Sequence, residues 1–291
     1  MSLRVNSLCY ECHLKRSLAR ARKLGDEDTA TAFARDLMEI FLREPVQWGS
    51  PWLNVPTMQL LDRYYHLGED PYREEKRASN AFFLARMEEI QQRIHASPDP
   101  LYSALQFAIL GNYIDFAALQ DQVDMAYLST LLDKAKDMVL DGPTYDRLKQ
   151  DLAKAETLLY LTDNAGEIGF DRLCAETMQA VYPHLKITFC VRGGYAMNDA
   201  TREDAAAVGV SFPVIDSGAA IPATIISKLG PQAKAAMESA DVIFAKGMAN
   251  VESLLGEGYP VYYAFLVKCP RFEEYFGKEK MTPMLYFEEE K

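Results

Sequence analysis

Histidine is scarce in this sequence: the chain of 291 residues contains only four, His13, His66, His95 and His184. None of them falls in a polar cluster at the end of a predicted strand. This scarcity argues against a Ser-His-Asp hydrolase and against chemistry based on a histidine nucleophile, and it favours a site built around a metal ion.

The chain also lacks the signals that place a protein in or across a membrane. No apolar run approaches the roughly 20 residues that span a bilayer, and the first residues show no apolar signal-peptide core. The five cysteines are too few, and odd in number, for a disulfide framework. We therefore expect a cytoplasmic protein.

Positive charge is in deficit, with 31 Lys and Arg against 42 Asp and Glu and a formal net charge of −11. Such a field repels nucleic acid and anionic lipid, so we expect neither as a partner. A small phosphorylated metabolite remains compatible, because a metal ion and a few local donors outweigh distant charges. The oligomeric state cannot be predicted from these properties.

Two halves of the chain differ in their hydrophobic period. From about Tyr10 to Leu140 apolar residues recur every three or four positions, which is typical of helices. Gly142-Pro143 lies near the change of pattern. With 49% hydrophobic residues the chain can bury a sizeable core. We predict an all-α subdomain over residues 1–145 and an α/β domain over residues 146–291.

In the second half, short apolar runs alternate with helical stretches, which predicts βαβ crossovers and a mostly parallel sheet with helices on both faces, a Rossmann-like three-layer α/β/α arrangement. Gly-x-Gly-x-x-Gly and Walker A motifs are both missing, and Gly193-Gly194 is too short for a dinucleotide fingerprint. The predicted strands are 157–162, 186–191, 211–215, 241–245 and 259–267.

Polar clusters follow these strands, and in open parallel sheets ligands bind outside the carboxyl ends of the strands. Each cluster alone is equally well explained by turn and helix-cap chemistry, but five in succession favour one crevice. The clusters are Asp163-Asn164-Ala165-Gly166-Glu167, Arg192-Gly193-Gly194 with Asn198-Asp199, Asp216-Ser217-Gly218, Lys246-Gly247-Met248-Ala249-Asn250, and Lys268.

The carboxylate of Asp163 and the amide oxygen of Asn164 are hard ligands that suit magnesium or manganese. Asp199 is a candidate third ligand, and the alternative for it is to cap a helix over residues 200–208. Lys246 lies beside Gly247 at a predicted helix N-terminus, where a phosphate is readily held, although a solvated lysine before a turn remains the alternative.

The segments Asp163-Asn164-Ala-Gly-Glu167, Asn198-Asp199-Ala-Thr and Lys246-Gly247-Met-Ala-Asn250 resemble the signature blocks of the damage-control phosphatase family, formerly domain of unknown function 89, of the prokaryotic type. Gly111-Asn112-Tyr-Ile-Asp115-Phe resembles a further block in the helical half. The resemblance extends through essentially the whole chain. One departure is Ala223, where relatives often carry glycine.

The resemblance implies a phosphatase that acts on small phosphorylated metabolites such as sugar phosphates and uses magnesium, manganese, cobalt or nickel. It implies that Asp163, Asn164 and Asp199 hold the metal, with Asp163, Asp199 and Lys246 as the catalytic set. The implied substrate-binding residues are Asn112, Asp115, Glu167, Arg192, Asn198, Gly247, Met248, Asn250 and Lys268.

Several alternatives stay open at this stage. Either the Asp163 carboxylate or a water on the metal attacks phosphorus. Two other functions remain as alternatives to a phosphatase: an S-adenosylmethionine-dependent transferase and a non-catalytic module that binds phosphorylated metabolites. The transferase would need an acidic residue after the second strand to bind the ribose, and the sequence has none there.

The cysteines raise one more possibility. Cys9-Tyr-Glu-Cys12-His13 has the haem-attachment pattern, but that attachment needs an exported chain. A full zinc site would need two further ligands. A cluster of Cys9, Cys12 and Cys269 near the crevice is the remaining alternative to separate thiols, while Cys174 and Cys190 are expected in the core.

Overall fold

A computed structural model describes residues 3–118, 130 and 132–289, without the side chains of residues 114–118. Its first helices form a three-helix unit that buries a small apolar core around Phe33 and Leu37. Helix α2 starts where Asp26 accepts a hydrogen bond from the Thr29 amide at 2.8 Å, which satisfies one of the free amides of its first turn. These helices are α1 (Ser7–Leu24), α2 (Glu27–Arg43) and α3 (Asn54–Tyr65).

Further helices described before the first strand are α4 (Arg73–Leu84), α5 (Met87–His95), α6 (Pro100–Ala118) and α7 (Gly142–Lys154). Helix α6 is mostly apolar, with no single polar face, and it packs against the sheet and against the helix that follows the first strand. An apolar helix of this kind must be covered all round. The boundary at residue 145 stays a prediction. Helix α6 lies before this boundary and packs against elements that lie after it.

The second half alternates strands and helices, as the change of period predicts. The mixed α/β class with a mostly parallel sheet is confirmed. Its elements are β1 (Thr157–Leu161), α8 (Glu167–Val181), β2 (Lys186–Val191), α9 (Arg202–Ala207), β3 (Val214–Asp216), α10 (Pro231–Ser239), β4 (Val242–Lys246), α11 (Gly247–Leu254), β5 (Val261–Leu266), α12 (Pro270–Phe276) and β6 (Pro283–Glu288).

The six strands lie in the order β3-β2-β1-β4-β5-β6. The first five are parallel, and β6 pairs antiparallel with β5 at the edge. The chain builds outward from β1 to β3 and then restarts on the other side of β1 with β4. Strands β1 and β4 therefore flank the point where the strand order reverses, and the carboxyl ends of such strands are where open α/β sheets bind ligands.

Alternate residues of β1 point into two different cores, as the period of a strand requires. Leu158 and Tyr160 face the core shared with α6 and α8, while Leu159 and Leu161 face the core covered by α10, α11 and α12. Both faces of the sheet are thus buried. This arrangement leaves only its strand ends to carry polar chemistry.

The predicted strand positions match the observed ones within a few residues, and the differences have local causes. The third and fifth strands begin at Val214 and Val261, later than predicted, directly or closely after Pro213 and Pro260. Proline has no N–H to give to a sheet. Strand β6 was missed: it begins at Pro283, a residue typical of edge strands and loops, and it pairs antiparallel with β5 at the edge of the sheet.

All five cysteines are free thiols. Cys174 and Cys190 lie in the core, as expected. Cys9 is buried and its sulfur accepts a hydrogen bond from Arg271 Nη1 at 3.3 Å, whereas Cys12 is exposed and Cys269 is half-buried. A cluster of Cys9, Cys12 and Cys269 stays untested.

Among the described helices, none is both long enough and apolar enough to cross a bilayer.

Candidate active site

The loops after β1 and β2 are hydrogen-bonded to each other, which brings the three predicted metal ligands together. Asn164 and Asp199 form an isolated antiparallel bridge. The Ala200 amide donates to the carbonyl of Asp163 at 2.8 Å, and the Ala165 amide donates to the carbonyl of Asn198 at 2.9 Å. Backbone pairing between neighbouring strand ends therefore sets the positions of Asp163, Asn164 and Asp199.

The loop after β4 presses against the same carboxylate. Gly247 has a φ of +76°, and a Cβ on it would lie 1.9 Å from Asp163 Oδ2. No side chain fits in that space, and the left-handed conformation itself favours glycine. Gly247 thus acts by allowing the backbone to approach Asp163, where β1 and β4 flank the reversal of strand order.

A buried guanidinium connects the two predicted metal-binding carboxylates. Arg192 Nε donates to Asp199 Oδ2 at 2.6 Å, and its Nη2 lies 3.9 Å from Asp163 Oδ1. The same side chain donates at 3.4 Å to Thr224 and to Asn250. This position agrees with the prediction that Arg192 lies among the site residues.

The alternative role for Asp199, as a helix cap, is wrong. Helix α9 starts at Arg202, and Thr201 caps it in a reciprocal capping box with Asp204. The Asp199 carboxylate instead faces Arg192, within the site.

Two side-chain amides hold Asp163 and Glu167 together. Asn112 Nδ2 donates to Asp163 Oδ2 at 3.1 Å and to Glu167 Oε2 at 2.9 Å. Asn164 Nδ2 donates to the same two oxygens, at 2.8 and 2.9 Å. Asn112 comes from α6, so the helical half reaches the site, as predicted. Its Oδ1 atom is buried without a hydrogen-bond partner among the described residues.

Lys246 occupies a different position from the one the sequence indicates. Its side chain is fully buried, and its ammonium donates at 2.7–2.8 Å to the Ala108 carbonyl, to Glu167 Oε1 and to Asp171 Oδ1. An ammonium has three donors, and these three acceptors use all of them. The alternative of a solvated lysine is wrong, and a direct phosphate contact would require one of these bonds to break.

The charge state of this buried group follows from competition between burial and pairing. Burial and the charge of Glu167 raise the pKa of Asp163 to about 6, against the opposing effect of Arg192. Lys246 holds the pKa of Glu167 below its usual value in spite of burial. Burial raises the pKa of Asp171 although Lys246 opposes it, and the two carboxylates raise the pKa of Lys246.

Other predicted residues have framework roles or lie at the rim. Asn250 is fully buried, donates to the Thr162 and Lys246 carbonyls, and accepts from Thr224. The Lys268 amide donates to Met248 Sδ at 3.1 Å, and both side chains are only partly buried. The side chain of Asp115 lies outside the described part of α6.

Three residues of the site were missed by sequence reasoning. Asp171 pairs with Lys246 and accepts from Tyr160 at 2.9 Å, and Asn80 donates to Asp204 and accepts from the Gly166 amide. Asp171 follows Glu167 by four residues on an otherwise buried helix face, which is a detectable signal. Asn80 and Thr224 had none, because their partners are distant in sequence.

The residues present fit a divalent cation in donor type and in charge. Four buried carboxylates, those of Asp163, Glu167, Asp171 and Asp199, face two buried cations, Arg192 and Lys246. When all are ionised, the group carries two excess negative charges, and buried charge without compensation is costly. Oxygen ligands suit magnesium and manganese. Among the described residues no three His, Cys, Asp or Glu side chains form a metal site alone.

Comparison with known proteins gives a consistent result. The family model described as the damage-control phosphatase ARMT1-like domain matches residues 5–282. The chain belongs to this family. The family resemblance seen in the sequence is thereby confirmed, and membership supports a phosphatase role.

Individual relatives extend the match over most of the chain. A damage-control phosphatase of Archaeoglobus fulgidus is 29% identical over 92% of this chain and 93% of its own. One from Pyrococcus horikoshii is 28% identical over 74% of each. The crystal structure of a DUF89 family protein from Pyrococcus horikoshii superposes with a TM-score of 0.82 and 22% identity, covering 98% of this chain and 99% of that one, which supports the fold.

Proposed function

We propose that this member of the damage-control phosphatase family is a metal-dependent phosphomonoesterase that hydrolyses small phosphorylated metabolites such as sugar phosphates. The observation that carries the proposal is the convergence of Asp163, Asn164 and Asp199 at the reversal of strand order. Family membership supports the reaction class.

In this proposal Asp163, Asn164 and Asp199 hold one divalent cation, manganese, magnesium, cobalt or nickel. When bound, the cation would neutralise negative charge on the phosphoryl oxygens. The excess negative charge of the buried side chains supports a cation at this place. Arg192 lies between the same carboxylates, where its guanidinium can exchange a carboxylate oxygen for a phosphoryl oxygen in bidentate geometry.

The two lysines take different roles in the proposal. Lys268 is only partly buried, and its charge helps to keep the pKa of Glu167 low, so we assign it to the phosphoryl group. Lys246 has three acceptors within the protein, so we assign it to positioning: it orients Glu167, whose Oε2 accepts from the amides that also bind Asp163. This differs from the phosphate contact that the sequence indicates.

Asp163 is the candidate for direct attack or for proton transfer. Two amides fix its Oδ2 atom, which holds the plane of the carboxylate. Trapping a phosphorylated Asp163 in rapidly quenched turnover would establish attack by the carboxylate. Turnover without any trace of that species would indicate that water attacks.

The experiment that tests the proposed function measures phosphate release from an aryl phosphate and a panel of sugar phosphates. Wild-type protein, Asp163→Asn and the control Asp28→Asn are each assayed with manganese, magnesium, cobalt or nickel and with a chelator. Asp28 is exposed on α2. We expect metal-dependent release that falls by about a hundredfold or more in Asp163→Asn, because a group aligned for the transition state is lost, and that persists in Asp28→Asn.

The contrary outcomes are distinct. Folded wild-type protein that releases no phosphate with any of the four metals would contradict the proposed function. Protein that binds a sugar phosphate without ever releasing phosphate would point to the non-catalytic binding module.

A further inference from the structure

Helix α4 carries one asparagine that bonds to both loops of the candidate site. Asn80 is 5% exposed, its Oδ1 accepts from the Gly166 amide at 2.7 Å, and its Nδ2 donates to Asp204 Oδ1 at 2.9 Å. Gly166 lies two residues after Asn164, and Asp204 lies in the first turn of α9, shortly after Asp199. One side chain from the helical half thus spans both loops.

Asp204 connects Asn80 to the segment after β2 through a second set of hydrogen bonds. Its Oδ2 atom accepts from the Thr201 amide at 2.9 Å and from the Thr201 hydroxyl at 2.8 Å. Lys76, also on α4, is buried and lies 2.8 Å from the same oxygen. The carboxylate therefore fixes the backbone directly after Asp199 while both of its oxygens are held by α4.

The contact between Gly166 and α4 leaves the Gly166 backbone little room to move. Gly166 has a φ of +75°, and a Cβ on it would lie 2.7 Å from Ser79 Cβ and 2.9 Å from the Ser79 backbone. The turn after β1 thus lies directly against α4. At such a distance the amide–carbonyl bond to Asn80 fixes both the position and the direction of the Gly166 peptide.

We propose that Asn80 is a positioning residue: its amide sets the spacing between the turn 163–166 and the segment 199–204, which leads into α9, and with it the placement of Asp163 and Asn164 relative to Asp199. The backbone bridge between Asn164 and Asp199 already joins the two loops. The bonds to α4 add the constraint that the bridge lacks, namely a fixed attachment of both loops to a third element.

The consequence for catalysis rests on the proposed function, while the positioning itself does not. Displacement of a catalytic group by about 1 Å can reduce turnover by about a hundredfold. A residue that acts only through stability would instead change the midpoint of unfolding and leave the turnover number of the folded protein unchanged.

The test exchanges the two polar partners. Asn80→Asp keeps the size of the side chain and an acceptor for Gly166, but it removes the donor to Asp204 and sets two carboxylates side by side. Asp204→Asn removes the charge from the other partner. The double variant restores one amide and one carboxylate with the donor direction reversed, and the control is Arg77→Gln on the exposed face of α4.

Two readouts are collected for each variant: kcat and KM for aryl phosphate, and hydrogen exchange of the backbone amides. We expect Asn80→Asp to lower kcat by about tenfold or more and to speed exchange at 163–167 and 199–204. The double variant should recover kcat to within about threefold of wild type, because the two substitutions are coupled. Arg77→Gln should match wild type in both measurements.

A kcat within about twofold of wild type in folded Asn80→Asp, with unchanged exchange in both loops, would overturn the proposal. So would a double variant as impaired as the sum of its single variants. If Asn80→Asp alone does not fold, Asp204→Asn and the double variant make the same comparison. Failure of the proposed function is separable, because a wild-type protein without phosphatase activity still yields the exchange result.

Discussion

At the scale of single residues, the glycine that follows β4 decides how close Asp163 can come. A Cβ at Gly247 would lie 1.9 Å from Asp163 Oδ2, and the φ of +76° is unfavourable for any other residue. We expect Gly247→Ala to push the carboxylate out of place and to reduce phosphate release by about a hundredfold. Steady-state assays at saturating metal, with thermal unfolding as the check on folding, measure both effects.

A substitution at Gly258 separates the steric contact with Asp163 from the cost of the unfavourable φ. It has a φ of +87°, but no atom lies within 4 Å of its hypothetical Cβ. Gly258→Ala should cost about 1–2 kcal/mol of stability through the backbone alone, with kcat unchanged. Equal turnover in both variants would show that the close approach to Asp163 is not needed.

The three candidate metal ligands share one property: they follow strands that pair with each other. Asp163, Asn164 and Asp199 could be predicted because parallel strands end at a common edge. The burial of Lys246 could not, because it depends on α6, whose Ala108 carbonyl comes from a segment more than a hundred positions away. Asp171 left a signal in its spacing from Glu167.

At the scale of elements, one aspartate ties β1 to β4 at the ends opposite the site. Asp241 Oδ2 accepts from the amides of Glu156 and Thr157 and from the Thr157 hydroxyl, at 2.8–3.0 Å. These bonds hold the pKa of Asp241 below its usual value. Because they lie at the far ends of the strands, they contribute to stability and not to the chemistry.

We therefore expect Asp241→Ala to lower the unfolding midpoint by about 2–4 °C with kcat unchanged. Since the folded pKa is depressed, the stabilisation is present above the unfolded pKa, about 3.9, and is lost as the pH falls through the folded value. The difference between wild type and variant should accordingly shrink in acid. A constant difference down to pH 2 in calorimetric scans would contradict this account.

The elements themselves were predictable where alternation or periodicity is strong. Strand β2 was predicted at its observed bounds, whereas β3 and β5 were shifted by Pro213 and Pro260. Strand β6 is an edge strand in which Leu285 and Glu288 are buried and the other residues are half-buried, and its partner β5 is identified only by the fold. The hydrophobic period of one segment can be recognised in its own sequence. The pairing of two strands leaves no such local pattern.

At the scale of the whole molecule, the two halves meet at the site. Helix α6 contributes Asn112 and the Ala108 carbonyl, and α4 contributes Asn80, to a centre whose carboxylates come from the α/β half. The proposed division at residue 145 describes the sequence pattern, but the site needs both sides of it. A sequence read segment by segment predicts each half and misses the contacts between them.

The same buried centre makes stability depend on pH and, if the proposed cation binds there, on metal. Because burial raises the folded pKa of Asp163 to about 6, the folded state without metal binds more protons than the unfolded chain between about pH 4 and pH 6. The stability that this carboxylate contributes therefore decreases as the pH rises through that window. A bound cation would offset the charge, but below about pH 6 it must displace the proton.

We expect saturating manganese to raise the unfolding midpoint by several degrees at pH 8, in line with about 2.7 kcal/mol at a hundred times Kd, and by much less at pH 5. Asp163→Asn should lose most of the gain at pH 8, while Asp28→Asn should keep it. The measurement is thermal unfolding with and without metal, so it does not depend on activity. An equal gain at both pH values, or an undiminished gain in Asp163→Asn, would place the cation elsewhere than at Asp163.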